Sequence, residues 1–366
     1  MSDKGLVMLA AGGTGGHLFP AQALAESLVK RGYDIHLMTD HRVRDYGKNF
    51  PASQIHVVPS ASPSLSLALP KNGMTLASGF FKARSILKRL KPLAVAGFGG
   101  YPSFPPLFAA SWLNIPSLVH EQNAVLGRAN KVLAGRVDVV ASSFPAVIGV
   151  SDAAKKKLTF TGNPVRAIAL AQAAAPYPEP KPYGPFSLVV FGGSQGAKFF
   201  SDFMPEVFAM MPESDRKRLR LVQQCRAEDL DRVASLYKNL NIQAELNAFF
   251  GDMPSRIAGA HLVICRSGAS SIAELAVIGR PAVLVPLPHA IDNDQLKNAQ
   301  SFAGAGAGWV LPQKELMPAE FSAFLSRLMG EGETLKRAAE LALKQGRPDA
   351  AERLADVVDE IIARKR

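Results

Sequence analysis

The sequence predicts an α/β protein built as two successive parallel-sheet domains, and three observations carry this. Short apolar runs alternate with helical patterns along the whole 366-residue chain, as expected of strands joined by crossover helices. The stretch "PYPEPKPYGP" at 176–185 interrupts that alternation and reads as a stiff, extended linker. Each half then opens in the same way, with an apolar run, a glycine loop and a helix: "GLVMLAAGGTGGH" at 5–17 and "FSLVVFGGSQGAK" at 186–198.

Taken in order, "GLVMLA" (5–10) is the first strand and Pro20 to Arg31 a helix with proline in its first turn. "DIHLMT" (34–39) is the second strand, and further strands are expected near 55–58, 93–98, 117–120 and 137–141. After the linker, strands follow at 186–191 and near 219–223, 243–246, 261–265 and 281–285. The last segment reads as a charged amphipathic helix. The expected organisation is an N-terminal domain over 1–166, a linker over 167–185, a C-terminal domain over 186–347 and a closing helix over 348–366 that packs back towards the N-terminal domain.

Composition narrows the class. The chain is 48% hydrophobic and 20% charged, which is globular. Its net charge of +11 favours an anionic partner. Cys225 and Cys265 are far apart and in no metal-ligand spacing, so neither a disulfide framework nor a cysteine metal site is expected. No run approaches the roughly 20 apolar residues that a membrane helix needs.

A glycine loop between strand and helix leaves backbone N–H groups open at the positive end of the helix dipole, where an anion is received. Asp40 after the second strand even imitates the ribose-binding acid of a dinucleotide site. The spacing does not agree, since Leu18 stands where the third glycine belongs, and no G-x-x-x-x-G-K-[ST] pattern is present. A tight turn packing helix on strand is the plainer reading of either loop alone; two such loops in one chain are harder to set aside. Other polar loops, all but the last containing glycine, follow strand-like runs: "GFGGYPSFPP" (97–106), "HEQNAVLGRAN" (120–130), "TGNPVR" (161–166), "RSGASSIAEL" (266–275) and "PLPHAIDNDQLKNA" (286–299). Ligands of open α/β sheets collect at the carboxyl ends of strands, so these loops predict a large cleft lined from both domains.

In their order along the chain, G-G-T-G-G-H, G-F-G-G-Y-x-S, H-E-Q-N-A, T-G-N-P-V-R, G-G-S-Q-G-A, R-S-G-A and P-L-P-H-A-x-D-x-x-Q resemble the MurG family from about Leu9 to Ala299. These are the UDP-N-acetylglucosamine transferases that complete lipid II. The resemblance implies a GT-B fold, two Rossmann-like domains whose parallel sheets face a central cleft. It implies transfer of N-acetylglucosamine from UDP-N-acetylglucosamine to the C4 hydroxyl of lipid I, with inversion, without metal or cofactor, at the cytoplasmic face of the bacterial inner membrane. Expected partners are those two substrates, an anionic membrane surface and other cell-wall or division proteins, with no nucleic acid.

On this resemblance His17 is the candidate base, since imidazole suits proton abstraction near neutrality. A histidine that only orders the loop is the alternative, and His120, Glu121 and His289 are rivals. Gly15 and Gly16 let the backbone approach an anion, the acceptor's diphosphate, with Thr14 beside the donor sugar; all three are counted in the donor site. Ser194 and the second glycine loop fall on the UDP phosphates, and Arg266 and Ala269 are counted among the residues that bind UDP-N-acetylglucosamine. Arg166 offsets the charge of the leaving group. Phe250 falls where the backbone holds uracil, or is plain core; Glu274 holds the ribose; Asn123 and Gln295 read the sugar. The triplet "DND" (292–294) imitates a manganese site but is not read as one, and Asp294 stands where the family often has histidine.

From Tyr46 to His120 there is no Asp or Glu, while Lys71, Lys82, Arg84, Lys88, Arg89 and Lys91 interleave with Leu65, Leu67, Leu69, Met74, Leu76, Phe80, Phe81 and Trp112. A basic, aromatic-bearing face of this kind is attracted to anionic membranes; an ordinary helix with a core face and a solvated face is the alternative. Another GT-B enzyme, a UDP-sugar epimerase or an inactive nucleotide-sugar-binding scaffold are the competing functions.

Overall fold

The computed structural model describes residues 4–12, 15–41, 50–61, 69–173, 175–288 and 291–365, leaving aside the side chains at 69–72, 194–197 and 291. Two compact units are present, one formed by residues 1–166 with 347–366 and the other by 167–346.

The first unit runs β1 (Gly5–Ala10), α1 (Gly15–Lys30), β2 (Tyr33–Thr39), β3 (Gln54–Val57), α2 (Leu69–Leu90), β4 (Ala94–Gly97), α3 (Gly100–Trp112), β5 (Ser117–Glu121), α4 (Arg128–Leu133), β6 (Val139–Ser142), α5 (Asp152–Lys155) and β7 (Leu158–Phe160). Its seven strands lie in the order β3-β2-β1-β4-β5-β6-β7, all parallel. Both faces are covered, which is why β1 and β4 read as continuous apolar runs rather than alternating ones. On one face Val7, Leu9 and Ile35 pack with Leu24 and Leu28 of α1; on the other Met8, Val95 and Val119 pack with Leu87 of α2 and Leu107 of α3. The terminal helix, Ala350–Ala363, belongs to the first face through Leu354, Val357, Val358, Ile361 and Ile362. Its acidic side is held by Arg31, which reaches Glu352, Asp356 and Asp359 at 2.7 Å each.

The second unit runs α6 (Ala167–Leu170), β8 (Phe186–Phe191), α7 (Gly193–Met210), α8 (Glu213–Arg216), β9 (Leu219–Gln224), α9 (Leu230–Asn239), β10 (Gln243–Asn247), α10 (Met253–Ala258), β11 (Leu262–Cys265), α11 (Ala269–Ile278), β12 (Ala282–Leu284), α12 (Asp294–Gly304), β13 (Gly308–Val310), α13 (Pro318–Gly330) and α14 (Gly332–Gln345). The order β10-β9-β8-β11-β12-β13, again all parallel, repeats the pattern of the first sheet. Both are Rossmann-like sheets whose strand order reverses beside the first strand, between β1 and β4 and between β8 and β11.

Three expectations are corrected. Helix α1 starts at Gly15, not Pro20, so Gly15, Gly16 and His17 are its first turn rather than a loop ahead of it. The stretch "GFGGYPSFPP" is not a loop: α3 begins at Gly100 and runs through Pro105 and Pro106. The N–H groups that those prolines lack would have bonded the carbonyls of Tyr101 and Pro102. Burial of Leu107, Ala109 and Ala110 offsets that loss, and the Ser103 hydroxyl satisfies the carbonyls of Gly99 and Gly100 at 2.8 and 3.0 Å. The proline stretch is also packed rather than extended in solvent. The Tyr177 hydroxyl donates to His261 O at 2.8 Å, and Arg280 donates to Pro176 O at 2.8 Å within the second unit. Strand β13, with its half-buried Trp309, went unread as a strand.

Candidate functional site

The first site lies at the carboxyl ends of β1 and β4. Gly12 is a close-approach position, because a Cβ there would stand 2.7 Å from Thr39 Oγ1 and 3.3 Å from Pro102. After β4, Gly99 and Gly100 both take left-handed backbone conformations (φ 76° and 67°) that favour glycine. A Cβ on Gly100 would meet the His17 ring at 3.2 Å. The ring is thus held against the β4 loop, projecting from the first turn of α1, where N–H groups have no intrahelical partners.

His17 is tied into the HEQN loop after β5. Its Nδ1 lies 3.2 Å from Gln122 Oε1. The Gln122 Nε2 lies 3.0 Å from His120 Nδ1, and His120 Nε2 lies 3.0 Å from Gly162 O in the TGNPVR loop after β7. Two rivals for the base are committed elsewhere. His120 is fully buried with both ring nitrogens engaged. Glu121 is buried, and its carboxylate accepts from Asn123 N and Nδ2, Gly127 N and Asn130 Nδ2 at 2.7–3.3 Å. Burial pushes its pKa up while those bonds oppose the rise. Glu121 therefore shapes the loop and the start of α4, and Asn123 is fixed by it.

Burial lowers the His120 pKa to about 4, an effect that the bond to Gly162 only partly opposes. The unfolded chain takes up a proton here near pH 6.5 and the folded chain does not. Stability is therefore unaffected by this group above about pH 6.5 and declines below it, by up to about 1.4 kcal/mol per pH unit until about pH 4. His56 and His261 are lowered as well, each chiefly by burial, and add to the same trend. In unfolding titrations from pH 7 to 4, wild type should lose stability faster than His120→Gln; parallel curves would contradict the assignment.

Arg166, at the end of the TGNPVR loop, stacks its guanidinium on Phe19 of α1 at 5.0 Å. That ring also abuts Gly15, where a Cβ would lie 2.9 Å away. Arg166 and the glycine loop are therefore neighbours within the first unit. Sequence reasoning quoted but did not single out Asn163. It is buried, and neither atom of its amide has a partner among the described residues. An orphaned amide is a signal that only tertiary structure gives.

The second site lies at the carboxyl ends of β8 and β11, which are adjacent, with Cys265 opposite Phe191. Helices α7 and α11 start there from Gly192 and Gly268, neither end carrying a side-chain cap. Two open helix N-termini side by side suit a diphosphate. Gly193 is left-handed (φ 68°), with nothing within 4 Å of where a Cβ would stand. Ala269 begins α11, and Glu274 lies buried on its second turn. Thr14 and His289 lie outside the described residues, as do the side chain of Ser194, residues Leu65 and Leu67, and the side chains of Leu69 and Lys71.

Arg266 is hydrogen-bonded within its own unit. Its Nη1 donates to Val285 O and Pro286 O at 3.1 Å and its Nη2 to Gln313 Oε1 at 2.6 Å, with the guanidinium over Phe199 and Phe200. It is buried and holds the loop after β12 rather than presenting its charge. Gln295 Oε1 accepts from Leu287 N at 3.0 Å, and Ser267 Oγ donates to Gln295 O at 2.8 Å, fastening α12 to both loops. "DND" forms the turn into α12: Asp292 and Asn293 are left-handed, and Asp294 accepts from Gln295 N. Phe250 follows edge strand β10 with its ring buried under Arg256 at 4.4 Å. Its side chain is core, which leaves only its backbone for recognition.

Two Rossmann-like units, each with open helix starts at its strand-order reversal, have the architecture of the GT-B glycosyltransferases. The glycosyltransferase family 28 N-terminal domain matches residues 7–142 and the family 28 C-terminal domain residues 187–354. A UDP-N-acetylglucosamine--N-acetylmuramyl-(pentapeptide) pyrophosphoryl-undecaprenol N-acetylglucosamine transferase of Rhizobium etli is 50% identical over 99% of this chain and 97% of its own. The enzyme of that description from Sinorhizobium fredii is 50% identical over 98% and 96%. The crystal structure of Acinetobacter baumannii MurG superposes with a TM-score of 0.80 at 30% identity, covering 97% of this chain and 99% of that one. The chain belongs to the MurG family of UDP-N-acetylglucosamine transferases.

Proposed function

We propose that this protein moves N-acetylglucosamine from UDP-N-acetylglucosamine to the C4 hydroxyl of lipid I, forming lipid II by one inverting displacement. What carries the reading is that the ordered motifs close on the strand ends of both units, in a chain half identical to N-acetylglucosamine transferases. His17 takes the proton of the acceptor hydroxyl, and the amides of Gly15 and Gly16 receive the lipid-linked diphosphate. The starts of α7 and α11, with Ser194 and Ala269, hold the UDP diphosphate, and Arg166 offsets its developing charge. Thr14, Asn123 and Gln295 read the donor sugar, the Phe250 backbone meets uracil, and Glu274 accepts the ribose hydroxyls. Arg266 supports this site by holding the loop carbonyls beneath it.

The protein is further proposed to work peripherally at the cytoplasmic face of the bacterial inner membrane. Met74 and Phe81 of α2 and Trp112 of α3 are two-thirds or more exposed, and Phe80 joins Phe81 and Trp112 in one aromatic cluster. Lys82, Lys88, Arg89 and Lys91 are exposed on and beside α2. Each basic residue at an anionic surface contributes about 1 kcal/mol. No described helix is long and apolar enough to cross a membrane.

The direct test is turnover of radiolabelled UDP-N-acetylglucosamine onto a short-chain lipid I analogue. A β-linked disaccharide lipid should form at an undiminished rate in EDTA, since helix ends and Arg166 act where other transferases use a cation. Free N-acetylglucosamine without disaccharide, or loss on chelation that manganese restores, would contradict the reading. Glu274→Ala should weaken UDP binding by calorimetry roughly ten- to a hundredfold, the worth of one charged hydrogen-bond partner at ~1.5–3 kcal/mol. An unchanged affinity would assign Glu274 to the packing of α11.

A further inference from the structure

We propose that Gln122, itself fixed by His120, sets the tautomer of His17 and so presents its Nε2 lone pair towards the acceptor hydroxyl. The inference deepens the reading of His17 as base and rests on it for its functional meaning. It starts from the far end of the chain of bonds. A carbonyl only accepts, so His120 Nε2, 3.0 Å from Gly162 O, carries a proton. His120 is buried and neutral, which leaves its Nδ1 with a lone pair. That lone pair accepts from Gln122 Nε2 at 3.0 Å.

The orientation of the amide is fixed twice, because the same Nε2 lies 3.1 Å from the carbonyl oxygen of His120, which also only accepts. Gln122 Oε1 therefore points at His17 Nδ1, 3.2 Å away, and can only accept from it. With Nδ1 protonated, the neutral ring of His17 carries its lone pair on Nε2. When Nε2 takes a proton, the imidazolium keeps its Nδ1–H bond to Gln122, so no second proton moves. The neighbouring carboxylate of Glu121 does not substitute for this bond, being turned to Asn123, Gly127 and Asn130.

The surroundings enforce the geometry. Gln122 is buried, and its Oε1 lies 3.6 Å from where a Cβ on Gly99 would stand. Gly100 closes on the ring itself. Gln122 and His120 are positioning residues: both are buried and act through His17.

The test begins on wild-type protein labelled with ¹⁵N-histidine, the His17 resonances being assigned by their loss in His17→Gln. Long-range ¹H–¹⁵N correlation near neutral pH should show His17 protonated on Nδ1. Protonation on Nε2 would overturn the proposal without any activity measurement. Gln122→Met removes donor and acceptor at similar length. It should release the ring towards the Nε2–H form and lower kcat about 10- to 100-fold, as removal of orienting partners does, with the KM for UDP-N-acetylglucosamine unchanged. In a His17→Ala background the same substitution should cost nothing further. An unchanged kcat, or an equal loss in both backgrounds, would refute the relay. If His17→Ala alone keeps normal kcat, the reading of His17 as base fails, while the spectrum still reports its tautomer.

Discussion

His17→Ala is expected to lower kcat by about 10²–10⁴-fold, the usual contribution of a positioned general base, and to leave UDP affinity near wild type. The site's geometry sets both halves of this expectation. His17 sits on α1 of the first unit, held by Gln122 and Gly100. Apart from Arg166, the groups proposed for the nucleotide lie in the second unit, at the starts of α7 and α11, on α11 at Glu274 and after β10 at Phe250. The acidic limb of the pH–rate profile should disappear in the variant. A variant with near-normal kcat would send the search to His289, because His120 and Glu121 are sealed inside their own hydrogen bonds. Lost UDP affinity at unchanged kcat would instead place His17 on the donor.

Removing residues 347–366 unfolds the first unit and leaves the second standing. The terminal helix buries Leu354, Val357, Val358, Ile361 and Ile362 against Val7, Leu9, Leu24 and Leu28. At about 1.5–3 kcal/mol for each large apolar side chain, the loss is roughly 8–15 kcal/mol, comparable with the ~5–15 kcal/mol that holds a whole domain together. Arg31 also loses the partners Glu352, Asp356 and Asp359. Hydrogen exchange should show β1, β2 and β4 unprotected while β8, β9 and β11 stay protected. A milder version, Leu354→Ala, should cost ~2–5 kcal/mol. Protection of β1 equal to wild type in the truncated chain would show that the sheet face is closed by something other than this helix.

Much of the molecule was legible from local signals. Buried parallel strands announce themselves as apolar runs because both sheet faces are covered, and β1, β2, β5, β8 and β9 fall where those runs stand. The same opening of strand, glycines and helix at 5–17 and 186–198 made the two repeated sheets legible in the sequence. Where neighbours in space decide, local pattern gave the wrong answer. Pro105 and Pro106 lie inside α3 because burial of its apolar face outweighs two missing bonds. Gly15 and Gly16 became helix because α1 docks on the sheet from its first turn.

The site divides along the same line. Sequence alone determined which residue types stand at the strand ends, since anion-receiving loops and a histidine beside them are composed of contiguous residues. Tertiary structure alone decided which groups each of them bonds. His120 and Glu121 are as polar on paper as His17, yet burial and bonds to Gly162, Gly127 and Asn130 withdraw them from chemistry. Arg266, counted by sequence among the nucleotide-sugar residues, has its guanidinium on Val285, Pro286 and Gln313. The bond between His17 and Gln122 spans 105 positions. Hydrogen-bond capacity is a property of residue type, but its allocation is settled only by which groups the fold brings within 3 Å of one another.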